Sequence, residues 1–180
     1  MEYPASSRVM IDSARQARSA TYPWWVFLAV PGVALLIQVY LPLFQTLSFV
    51  SRIDLPLLVT IYFAMARRNQ VAGLMTGAVI GLVQDSMTTL PIGISGLANT
   101  IVGYAASSLS VKIDTENPGS RVLITFGFYL LYQFVYMTAA RAMARVDLQW
   151  QWQHVLLLGL VNAIVGVLLF AFLDRFRQKA

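Results

Sequence analysis

The 180 residues are 58% hydrophobic with a mean hydropathy of +0.65, which leaves too little polar surface for a soluble domain of this size. There is no cysteine and one histidine, His154. Disulfides, iron–sulfur clusters, thiolate zinc sites and a multi-histidine metal site within one copy are thereby excluded. The net charge of +5 is spread over loops and tails rather than gathered in a run, a pattern that fits membrane orientation and anionic lipid and not nucleic acid.

An arginine-bearing tail, residues 1–22 with Arg8, Arg15 and Arg18, precedes the first apolar segment, about Trp24 to Phe44. That segment is too long for a signal-peptide core and no small-x-small cleavage site follows, so it reads as a retained anchor. The three arginines share one helical face, as on an interfacial helix; a disordered polar tail is the alternative. The second segment opens at Asp54-Leu-Pro56 and ends at Arg67-Arg68. Asp54 suits an N-cap, and proline is tolerated in a first turn. Leu55–Ala66 reaches only about 18 Å, short of the ~30 Å hydrocarbon core. Either residues 49–53 extend it or the bilayer is thinned there. The third segment runs from about Val71 to Thr88 and the fourth from Ile92 to Val111, joined by the tight link Thr89–Gly93. Asn117-Pro-Gly marks a turn in the polar stretch Lys112–Ser120. The fifth segment spans about Arg121–Ala140 and the sixth about His154–Asp174, before a basic tail at 175–180.

The expected architecture is all-α: a six-transmembrane-helix bundle over residues 23–174. With the N-terminus inside, ten of the thirteen basic residues fall on the inner side, which places both termini in the cytoplasm of a multi-pass membrane protein. Trp24, Trp25, Trp150 and Trp152 fall near segment borders, as interfacial belts require.

Three segments carry stripes of small residues. The third has Gly73, Gly77, Gly81 and then Asp85 at steps of four; the fourth has Gly96, Asn99, Gly103 and Ser107; the sixth has Gly159, Asn162 and Gly166. Such faces allow close backbone approach where lipid supplies no hydrophobic drive for helices to associate. Asp85 is an acid inside an apolar segment, and such groups face a partner or a cavity. It binds a cation, passes a proton, pairs with an arginine (Arg52 and Arg141 are on the same side), or caps the following turn. Gln38, Asn99, Gln133 and Asn162 read mainly as interhelical hydrogen-bonding groups. Tyr129, Tyr132, Gln133 and Tyr136 share a face that packs or lines a pocket.

Gly93-Ile-Ser95-Gly96 with His154 resembles the serine–histidine dyad of rhomboid intramembrane proteases, which needs the histidine within reach of the serine hydroxyl. The second histidine of that family is missing, and Val-Leu-Leu-Leu follows His154 where small residues are expected. No catalytic residue and no cofactor is therefore assigned.

A broader resemblance spans about Ile53 to Arg177. Arg52-Ile-Asp54-Leu-Pro-Leu-Leu-Val-Thr-Ile-Tyr62, the block from Gly77 through Gly81-Leu-Val-Gln-Asp85 and Gly93 to Tyr104, and the last helix from Asn162 to Arg177 resemble the MreD family of rod shape-determining membrane proteins. Gln84 and Pro91 depart from that pattern. The resemblance implies a non-catalytic component of the bacterial elongation machinery in the inner membrane, supporting lateral peptidoglycan synthesis and cell shape. It implies an MreC-like bitopic protein as partner and, through it, MreB, RodA and a penicillin-binding transpeptidase. It also implies a fold similar to the substrate-binding components of ECF transporters; such a transporter component is the alternative function. Asp54, Asp85 and Gly93 are the positions it carries over. Partner contact is expected near them and through one glycine face, with Tyr104 and Asn162 as further candidates.

Overall fold

The computed structural model describes residues 22–40, 52–88, 91–111, 113, 117–144 and 151–176. The expected interfacial helix of the N-terminal tail, the ends of the first segment and of the basic tail, and Trp150 lie outside them. Six α-helices make up the described chain: α1 (Trp24–Tyr40), α2 (Leu55–Arg67), α3 (Gln70–Ser86), α4 (Ile94–Ser110), α5 (Pro118–Ala144) and α6 (Trp152–Leu173), with a 3₁₀ turn at Asp174–Phe176. Two stretches, Pro118–Met143 and Trp152–Phe176, are long and apolar enough to cross a membrane.

The helices follow the sequence order expected. One boundary differs in kind: Asn117-Pro-Gly is a helix start, not a turn, because proline fits the first helical position, where its missing N–H is no loss. The Asn117 side chain accepts from Gly119 N–H at 2.9 Å and sets that start.

The shortest helix is the hub. α2 touches all five others, and its residues Pro56 to Met65 are all buried. A helix apolar on every side belongs in a core, and α2 supplies much of it, with Phe63, Leu57, Leu58 and Ile61 fully enclosed. Asn69 stops α2 from running into α3, accepting from the N–H groups of Val71 and Ala72, while Arg68 turns the chain in the left-handed region at φ 50°.

α3 and α4 form the most extensive pairing, and the glycine stripes are its cause. A Cβ at Gly73 would stand 2.5 Å from the Gly103 carbonyl oxygen, and one at Gly81 2.5 Å from that of Ser95. At Gly77 it would stand closer still to the Asn99 carbonyl. The two stripes therefore mesh antiparallel, backbone on backbone. On α6, Gly159 seats Phe126 and Tyr129, and Gly166 seats Thr125 and Leu58.

One pole of the bundle is tied by Asp174. Its carboxylate accepts from Arg121 at 2.7 Å and from the Tyr62 hydroxyl at 2.9 Å. Since Tyr62 spends its proton there, Tyr22 is the donor in the 2.7 Å bond between the two hydroxyls. Arg67 lies 3.8 Å over the Phe27 ring.

Candidate functional site

Away from that pole the bundle holds two helix starts that are both fastened by side chains from other helices. The first N–H groups of a helix have no partner within it, so a start buried among apolar helices needs acceptors from elsewhere. At α2, Asn162 of α6 accepts from Asp54 N–H at 2.8 Å, Gln38 of α1 accepts from Leu55 N–H at 3.2 Å, and the Asp54 carboxylate accepts from Leu57 N–H at 3.2 Å. Pro56 has no N–H to satisfy. The whole first turn is accounted for. Asn162 sits ten positions beyond Trp152, so α2 begins about 15 Å along α6 rather than level with its start. Residues 52 and 53 are not α-helical; among the described residues α2 is not extended backwards, and the short segment is resolved by a buried start.

At α4 the cap comes from Asp85. One carboxylate oxygen accepts from Ser95 N–H at 2.9 Å; the other accepts from Gly93 at 2.8 Å and Gly96 at 2.9 Å. Gly93 holds φ 115°, a left-handed conformation that residues with a Cβ rarely adopt. Asp85 is only 1% exposed. The expectation that it caps a turn is met in a longer-range form: the acid ends one helix and starts the next. Both oxygens are committed to backbone donors, which leaves its carboxylate no role as a surface contact.

Between the two starts runs a polar seam. Asn99 donates to Gln84 at 3.2 Å. The Asp54 carboxylate faces Gln84 and the Tyr132 hydroxyl, and Tyr132 also faces Ser95. Tyr136 stacks on Tyr132 with ring centroids 5.7 Å apart. The Asn99 side-chain oxygen is buried without a protein partner. Beside the seam, between α1 and α3, lies a cavity of about 280 Å³ lined by Gln38, Gln84, Thr88 and three apolar side chains.

The structure thus brings Asp54, Asp85, Gly93 and Asn162 to one region. Tyr104 is not part of it: it is half exposed on α4, one position past Gly103 and so turned from the glycine seam. Gly73, Gly77 and Gly81 face α4 of the same chain. Of the two roles open to them, packing and partner contact, the geometry fits packing: the face is closed backbone to backbone. The dyad does not assemble either. Ser95 is buried beside Tyr132, while His154 is exposed and accepts through Nε2 from Arg52. Sequence reasoning missed the Asn162–Asp54 and Gln38–Leu55 contacts; the signal was present in amides within apolar segments, but nothing local names their acceptor role.

The Asp54 and Asp85 carboxylates both accept from backbone N–H groups at helix starts, so among the described residues the arrangement fixes where α2 and α4 begin. No curated protein and no solved structure matches the chain. A family model described as rod shape-determining protein MreD matches residues 18–179, and over nearly its whole length the chain belongs to that family.

Proposed function

We propose that the protein is an integral membrane scaffold of the rod elongation complex, binding an MreC-like bitopic protein and through it MreB, RodA and a penicillin-binding transpeptidase. The family match over residues 18–179 carries the reading. All six helices span the inner membrane in this reading, both termini are cytoplasmic, and the Asp85 pole faces outward. The distribution of basic residues supports that orientation. α2 then starts near the bilayer midplane. Irregular backbone at that depth is tolerated only inside protein, and the Gln38 and Asn162 bonds supply the required satisfaction. Discontinuous helices of this kind occur in transporter folds, in keeping with the expected similarity to ECF substrate-binding components.

Partner contact falls on the outward side, on exposed groups: Arg52 and Ile92 beside the two capped starts, and Trp152 at the start of α6. Affinity purification of the tagged protein from native membranes, with mass spectrometry of co-eluting proteins, tests the reading. An MreC-like protein with RodA or its transpeptidase is the expected result; recovery with a transporter energising module refutes it. That second outcome is favoured by one observation, the polar-lined cavity beside Gln84.

A further inference from the structure

The far half of the bundle carries a feature that scaffolding does not use. An apolar slot of about 320 Å³ runs between α1, α2 and α6, walled by Ala29, Val33 and Ile37, by Val59, and by Leu169 and Phe172. Every residue lining it is apolar. Val33, Ile37 and Phe172 are exposed along it, so it opens sideways rather than into the core. Trp25 and Phe176, edge to face with centroids 6.2 Å apart, stand at one end, and Leu55 lies at the other.

Position and size select the occupant. The slot follows α1 from Trp25 to Ile37, about 18 Å of helix, close to the ~15 Å of one leaflet's share of the hydrocarbon core. Its inner end stops at Leu55, where α2 begins at mid-depth. A partner's transmembrane helix needs a seam across both leaflets, about 20 residues long; this slot serves one. Its volume corresponds to about a dozen methylene groups at interior packing density. In the proposed orientation the aromatic pair marks the cytoplasmic end of the slot, and the exposed Arg175 precedes Phe176 there in sequence. Asp174 does not neutralise that arginine, because its carboxylate is already held by Arg121 and Tyr62. Arg175 makes no ion pair with a described residue, and Arg177 and Lys179 follow in sequence.

We propose that this slot seats one acyl chain of an anionic phospholipid from the cytoplasmic leaflet, with Arg175 binding the phosphate headgroup at its mouth. The proposal rests on the six-span orientation given above. Moving a chain from bilayer to slot exchanges one apolar surface for another, so discrimination between lipids comes from headgroup charge, as for basic residues at anionic membrane surfaces.

The test is native mass spectrometry of the full chain released from nanodiscs holding equal phosphatidylglycerol and phosphatidylcholine of matched chains. The wild type should retain one phospholipid, with phosphatidylglycerol preferred. Ala29→Phe, or Val33→Phe if the first melts early, fills the slot from its open side and should abolish retention. Arg175→Gln should keep a lipid but lower the phosphatidylglycerol preference about fivefold. A wild type without bound lipid, or a filled slot that retains it, overturns the proposal. The chain has no cysteine, so Ala29→Cys reports the competing occupant: a disulfide-linked dimer would make the slot an interface between copies and overturn lipid seating. Orientation is read separately. An impermeant thiol reagent should label Arg175→Cys only in inverted vesicles; labelling from outside would overturn the cytoplasmic assignment whatever the lipid count.

Discussion

Replacing Asp85 with alanine removes the side chain that, among the described residues, caps α4. Three N–H groups lose an acceptor, those of Gly93, Ser95 and Gly96. Gly93 is only half-buried and its N–H regains water, but Ser95 and Gly96 are buried beneath α3. A buried donor left unmade costs about 1–3 kcal/mol. Two of them give a loss of about 2–6 kcal/mol, above the ~1 kcal/mol of an ordinary exposed N-cap and a large part of a typical total stability of about 5–15 kcal/mol. Asp85→Asn does not escape. Its amide keeps one accepting oxygen and turns a donor toward groups that are themselves donors, so it should fall in the same range. Unfolding in mixed micelles, followed by circular dichroism as denaturing detergent is added, measures the loss, and amide exchange should rise first at residues 93–97. If Asp85→Ala unfolds within about 1 kcal/mol of the wild type, these bonds do not hold the pole together and the capping argument is wrong.

Two glycines should respond in opposite directions to alanine. Gly77→Ala drives a Cβ into the Asn99 carbonyl and should cost at least the 1–3 kcal/mol typical of overpacking. Gly127 has nothing within 4 Å of such a Cβ, so Gly127→Ala should leave stability unchanged or raise it by up to about 1 kcal/mol; the same unfolding titration ranks them. Asn162→Leu strands the Asp54 N–H and should cost about 1–3 kcal/mol, with exchange protection lost at the start of α2 before anywhere else. For Arg121 and Asp174, at 14% and 31% side-chain exposure, a double-mutant cycle should return a coupling of about 1 kcal/mol or less that shrinks with added salt.

The helix order, the hub's short length and the existence of small-residue faces were legible because each follows from local pattern: apolar run length, proline and aspartate at a start, glycine at steps of four. Which faces meet was not. Gly73, Gly77 and Gly81 announce close approach, yet a stripe reads the same whether a partner or the next helix covers it. Only the tight turn at Gly93 folds α4 back onto it. Asp85 was ambiguous for a related reason. Its function depends on three donors eight to eleven residues onward, whose direction is set by the φ of 115° at Gly93. Asn162 and Gln38 were visible as amides in apolar surroundings. Their acceptor roles depend on where α2 starts along α6 and α1, which no periodicity records.

That buried start has a consequence for how the chain is made. In the proposed six-span arrangement, the thirteen residues of α2 are too few to enter a bilayer as an independent span, so α2 would be carried in together with a neighbour. Its final seat includes Asn162, which is synthesised more than a hundred residues later. Until the last helix arrives, the Asp54 N–H has no such acceptor, and the hub of the bundle waits on the final segment to emerge. In that arrangement, a chain cut short before α6 would leave the Asp54 N–H without this acceptor at membrane depth, where an unmet donor is costly.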